Sequence, residues 1–204
     1  MSSHPTGALP AHPETATLEG KNKVMGFWLF LGAEVVLFGC LFATYIALRN
    51  HVTDGPTAEE IFKLKTVGWS TFILLTSSLT SVLAIIAMHK HKLGQLLFWL
   101  LITVLFGLSF LGLEIFEFNE YVKEGHKFVS SAFGTSFYTL VGFHGAHVAF
   151  GVTWITLLIL QGLRKGLTVV TAPKFYVASL YWHFVDLVWV FIFTVVYLMG
   201  KVGH

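Results

Sequence analysis

TVGWSTFILLTSSLTSVLAIIAM (Thr66–Met88), then His89-Lys90-His91-Lys92, then LGQLLFWLLITVLFGLSFLGL (Leu93–Leu113) is the stretch on which the fold turns. A helix that crosses about 30 Å of hydrocarbon takes about 20 predominantly apolar residues. Both apolar runs reach that length without a charged side chain. The basic turn between them is so short that the two helices are antiparallel neighbours. Span-length apolar runs joined by a tight polar turn describe a helical hairpin in a membrane, because in lipid a helix satisfies its own backbone.

Three more runs of this kind flank the hairpin. Val24–Leu48 has Glu34 as its only charge. Phe128–Leu163 is uncharged but too long for one span, so its helix is placed near Phe133–Leu163 with an interfacial start. Phe175–Met199 is interrupted only by His183 and Asp186. The third helix is expected to continue past Leu113 through Glu114 and Glu117. The expected architecture is all-α, an integral membrane bundle of five transmembrane helices at about 22–49, 65–89, 93–121, 133–163 and 174–200. These make one domain, residues 21–204, behind a flexible tail, residues 1–20, which carries Pro5, Pro10 and Pro13 and lacks the apolar core of a secretion signal.

Composition agrees. Of 204 residues, 55% are hydrophobic and 12% charged, against about a quarter charged in soluble domains. The net charge of +2, with no basic stripe, gives no footprint for nucleic acid. The lone cysteine, Cys40, sits in an apolar run and reads as a small packing residue. There is no CxxCH motif for covalent haem attachment. With the tail inside, the inner side holds Lys21, Lys23, Lys90, Lys92, Arg164, Lys165 and Lys174. The outer side holds Arg49, Lys63, Lys65, Lys123, Lys127 and Lys201. This near-even split leans towards a cytoplasmic N-terminus and an external C-terminus.

Small residues let helices approach in lipid. Ser77, Ser78, Thr80, Ser81 and Ala84 offer such a face, and Gly142, Gly145, Ala146 and Ala149 another. Trp28, Trp69, Trp99 and Trp182 read as interfacial anchors. Ionisable groups inside a span are costly, at least about 2.5 kcal/mol each, and are functional candidates. Glu34 either locks helix packing or exchanges protons. His144 and His147, three apart in GFHGAHVAFG (Gly142–Gly151), share a helical face with Gly151. Ser179, His183, Asp186 and Tyr197 make a polar stripe, and Glu114 and Glu117 close the third span. Two histidines and carboxylates from several helices suit a metal, and facing histidines such as His144 and His183 suit a haem in a membrane anchor. His-x-x-His is not the HExxH zinc motif, so a hydrogen-bonded cross-helix network is the expected arrangement. Arg164, Lys165 and Lys174 are candidate ligands for lipid headgroups, or simply a solvated loop. The absence of internal repeats and broken helix pairs argues against a transporter.

GFWLFLGAEVVLF, FYTLVGFHGAHVAFG and SLYWHFVDLVWVFIFTVVYLMG, in this order on the first, fourth and fifth spans, resemble subunit III of cytochrome c oxidases. The likeness runs from about Thr17 onward. It is to the five-helix bacterial, Bacillus-like form rather than the seven-helix form. The resemblance implies a non-catalytic subunit of a proton-pumping oxidase that reduces oxygen to water with electrons from cytochrome c, or from quinol in a related branch. Haems and copper would reside in subunits I and II, with none on this chain. The chain would pack mainly on subunit I, with subunits II and IV as further partners. It would sit in the bacterial cell membrane, hold phospholipid and support proton uptake, with helices of subunit I or another subunit filling the place of the two missing helices. Glu34 matches the family's buried carboxyl. His144, His147, His183 and Asp186 match its motif positions, as structural or proton-related groups.

Overall fold

The structure is a computed structural model and describes residues 9–49, 64–123 and 132–198. A 3-10 turn (Pro13–Thr15) leads into α1 (Leu18–Leu48). Then follow α2 (Leu64–His89), α3 (Leu93–Lys123), α4 (Ala132–Lys165) and α5 (Ala172–Ile192), which runs on as a π-helical turn (Phe193–Leu198). All five helices are long and apolar enough to span a membrane. α1 begins earlier than expected, inside the expected tail. Thr17 causes this: in extended conformation, its hydroxyl accepts the Gly20 N–H at 3.0 Å and caps the first turn. The part of the expected tail at Pro13–Thr15 is a packed turn with Glu14 buried. Residues 1–8 of that tail, and the loops at 50–63 and 124–131, lie outside the described residues.

The turns have local causes. At the end of α2 the Lys92 N–H reaches the Ala87 carbonyl at 3.0 Å and the His91 N–H reaches Met88 at 2.9 Å. His91 takes φ +56°. This is a Schellman ending with histidine where glycine is usual. α4 ends at Gly166, with φ +69°.

α2, α3, α4 and α5 close into a ring, each helix packed on its two neighbours, and α1 lies outside in the groove between α4 and α5. The consequence for burial is large. Over its apolar window α5 is 56% buried and α1 only 11%. Trp182 is the pin of the ring. It is fully buried, and a Cβ at Gly107 of α3 would meet its ring at 2.6 Å, while one at Gly151 of α4 would meet it at 3.0 Å. Its indole N–H donates to Ser77 Oγ of α2 at 2.9 Å. Trp182 is therefore a core residue and no interfacial anchor, whereas Trp28 and Trp69 are exposed.

Two other packing expectations change. Cys40 is exposed on α1, facing away from the bundle. On α4 the close approaches are at Gly145, Gly151 and Gly162, whereas Gly142 has open space and Ala146 is exposed.

Candidate functional site within the membrane

One face of α2 is written in hydroxyl residues, and α5 answers it. His183 Nδ1 and Ser78 Oγ share a hydrogen bond at 2.7 Å. Ser81 and Ser179 share one at 2.7 Å. Trp182 donates to Ser77, and the Trp189 indole N–H donates to Thr71 Oγ1 at 3.0 Å. The contacts climb α5 as they descend α2, as antiparallel helices require. α2 is tied to α3 in the same way, by Thr80 and Thr103 at 2.7 Å. Side-chain hydrogen bonds between membrane helices are worth about 0.6 kcal/mol each on average and up to about 1.7. A ladder of them therefore fixes rotation and register more than it adds stability.

α1 has a different tie. Glu34 Oε2 meets His147 Nε2 of α4 at 3.1 Å, both near the middle of their helices. The other ring nitrogen, Nδ1, lies 2.7 Å from the Phe143 carbonyl oxygen one turn earlier. Phe38 stands edge-on to the His147 ring at 5.0 Å. The Tyr181 hydroxyl donates to the His147 carbonyl at 3.0 Å. A carboxyl and an imidazole joined in low dielectric can hold one proton between them, and neither is then left as a bare charge.

The expected network is thus present in part and divided. His147 faces α1, but His144 points the other way. It is fully buried, stacks on Trp189 at 5.2 Å and meets the edge of Phe110 at 5.9 Å. The two histidines do not act on one face, because α4 has α1 on one flank and α3 on the other. His183 takes serines, Ser78 and more distantly Ser179 at 3.5 Å, rather than a carboxylate. Asp186 is buried beside Ser78. Tyr197 of the expected stripe is buried too. Glu114 lies against the Gly145 backbone, where a Cβ would stand 2.7 Å from its Oε1, and Glu117 is buried three residues on. Among the described residues, the ring nitrogens of His144 and the carboxyl oxygens of Glu114 make no hydrogen bond, and Asp186 has the Ser78 hydroxyl as its polar neighbour. No group of three ligand side chains forms among these intramembrane residues. Among the described residues the one such group is His12, Glu14 and His89, at the end of the bundle.

A groove of about 330 Å³ opens at the N-terminal ends of α1 and α5. Phe27, Phe30, Trp154 and Val177 line it, with Lys23 and Lys174 at its edge. Lys174 Nζ also donates to Gln161 Oε1 at 3.4 Å, and Lys23 pairs with Glu19 at 2.6 Å. Of the cations singled out for lipid, only Lys174 lines this groove; Arg164 and Lys165 are exposed elsewhere. Lys23 lines it as well. Its signal in the sequence was its position just ahead of the first apolar run.

Comparison with known proteins bears on what such a bundle does. A family model described as cytochrome c oxidase subunit III matches residues 11–201. The chain is 63% identical over 195 residues to cytochrome c oxidase subunit 3 of Bacillus sp. (strain PS3), covering 95% of this chain and 94% of that protein. It is 60% identical over 195 residues to cytochrome c oxidase subunit 3 of Bacillus subtilis (strain 168), with the same coverage of 95% and 94%. The quinol oxidase subunit 3 of the same strain is 47% identical over 184 residues, 90% of each chain.

Proposed function

The chain belongs to the cytochrome c oxidase subunit III family, and from that premise we propose that it is a structural and proton-supporting subunit with no catalytic centre of its own. It is a multi-pass membrane protein and a subunit of a terminal oxidase. Cytochrome c is the favoured electron donor of the complex, since the relatives named for it at 63% and 60% identity stand well above the quinol relative at 47%.

The observation that carries the reading is how the intramembrane polar groups are used. Glu34 joins α1 to α4, and His183, Ser179, Trp182 and Trp189 join α5 to α2. A protein-bound copper centre needs several ligand atoms converging on one point, and these groups instead meet in pairs along helix seams; the two histidines that could serve a haem are taken up separately, His144 by Trp189 and Phe110 and His183 by Ser78. Haems and copper then belong to subunits I and II, which this chain supports. Its widely exposed apolar α1 face suits packing on subunit I or lipid. Subunits II and IV complete the set of partners. The groove beside Lys23 and Lys174 suits a phospholipid, acyl chain on Phe27 and Phe30 and phosphate near the two ammonium groups. The N-terminus lies in the cytoplasm and the C-terminus outside. The Glu34–His147 pair, at mid-membrane on the outer helix, is the proton-exchanging element of the subunit.

Co-purification in mild detergent tests the proposal. The chain is expected to bring with it the haem- and copper-bearing subunits and the haem absorbance of an oxidase. Isolation without them, as a haem-bearing protein in its own right, overturns it.

A further inference from the structure

We propose that His12, Glu14 and His89 form a binding site for one divalent metal ion of the Zn(II) class, at the end of the membrane-spanning bundle. The inference does not rest on the oxidase reading. One ligand atom from each of the three side chains lies within 4.8 Å of the others. His12 Nδ1 stands 3.3 Å from Glu14 Oε1, and His89 Nε2 stands 3.3 Å from both Glu14 oxygens.

His89 Nε2 and Glu14 Oε1 are within hydrogen-bonding reach, and the separations also match those between neighbouring ligands of one ion. In a charge-assisted hydrogen bond, nitrogen and oxygen draw in to about 2.7–2.9 Å. Around a tetrahedral Zn(II), with bonds of about 2.0–2.2 Å, neighbouring ligand atoms stand about 3.3–3.5 Å apart. Both nitrogens stand off the carboxylate at the second distance. The two rings meet edge to face, 5.1 Å apart at 75°, so that they flank the carboxylate. Glu14 is 4% exposed, its Oε2 makes no hydrogen bond among the described residues, and a buried carboxylate calls for a cation. Two imidazoles and one carboxylate form a donor set for Zn(II) that leaves the fourth position to water or an outside ligand.

The fold prepares the site from two distant segments. His12 and Glu14 flank Pro13, the first residue of the 3-10 turn. His89 is the last residue of α2, held by the Schellman turn. The turn itself is seated by Gly20, where any Cβ would run into the Glu14 carbonyl and stand 3.2 Å from Pro173. A bound ion would clamp the segment before α1 onto the α2–α3 connection.

The test uses the purified oxidase complex, stripped with a chelator and titrated with Zn(II) against a chromophoric competitor. Wild type is expected to hold one more Zn(II) than the His12→Ala and His89→Gln forms, or to hold it at least about tenfold more tightly. His12 has a 70% exposed side chain, so His12→Ala reports on the site rather than on folding. Zn(II) should also slow amide exchange over residues 11–17 in wild type and not in His12→Ala. Equal stoichiometry and affinity in wild type and His12→Ala, or amide exchange indifferent to Zn(II), would mean an ion pair only and overturn the proposal.

Discussion

α1 and α5 are both apolar helices of membrane length, yet they solve the problem of polar groups in lipid in opposite ways. α5 is more than half buried and distributes its polar atoms along a seam with α2. In α1 only 11% of the apolar window is buried, and among the described residues its intramembrane polar tie is Glu34 to His147. Hydroxyl and indole groups are small dipoles that a neighbouring helix can satisfy at modest cost, so many can line one interface. A carboxyl is costly enough in hydrocarbon that a single one governs how its helix sits. α5 therefore organises the bundle, while α1, anchored at one point, is left to face something else.

The comparison breaks first at Trp182. Trp182→Ala empties a fully buried site between Gly107 and Gly151 and takes the indole donor from Ser77, whose hydroxyl keeps only its bond to the Leu74 carbonyl. The expected loss is about 3–5 kcal/mol, read by unfolding in mixed micelles. A loss below about 1 kcal/mol would show that α5 is not the pin. Gly107→Val should act in the same direction from the other side, by about 1–3 kcal/mol, because its Cβ would stand 2.6 Å from the Trp182 ring.

Single rungs should matter less. Ser77→Ala removes the acceptor of a buried indole N–H and is expected to cost about 1–2 kcal/mol in the same assay. A variant as stable as wild type would mean that packing alone positions Trp182.

On α1 the expected change is in behaviour rather than in folding. Glu34→Gln keeps a hydrogen-bonding amide facing His147 but has no acid proton to give up, so stability should move by less than about 1 kcal/mol. Assembly and haem spectra should be unchanged, while proton uptake slows and the enzyme inactivates sooner during turnover. Unaltered uptake and lifetime would make the pair purely structural. The smallest effect belongs to the α2–α3 turn. His91→Gly relieves a left-handed residue and should stabilise by about 0.5–1 kcal/mol. A destabilised variant would show that the His91 side chain holds the turn.

How much of this could be read from the sequence follows from the same contrast. Span-length apolar runs announce themselves because lipid imposes length on every one of them. Glu34, His147, His183 and Asp186 stood out because charge and imidazole are rare there. Their partners did not, since periodicity gives a face but not the helix opposite it. His144 and His147 share a face in projection and still turn to different neighbours. Trp182 resembled an interfacial tryptophan because aromatic type is visible and depth is not. Cys40 resembled a packing residue because all sides of α1 are equally apolar. His12 and Glu14 sat in a proline-bearing stretch whose partner, His89, lies 75 residues further on, a distance no local pattern bridges.

The most direct test of the account is elemental. The chain, separated from the other subunits in mild detergent and still helical by circular dichroism, should contain no stoichiometric iron or copper and show no haem absorbance. The oxidase from which it came should contain both metals. One iron or copper per chain, retained on separation and lost on His144→Ala or His183→Ala, would contradict it.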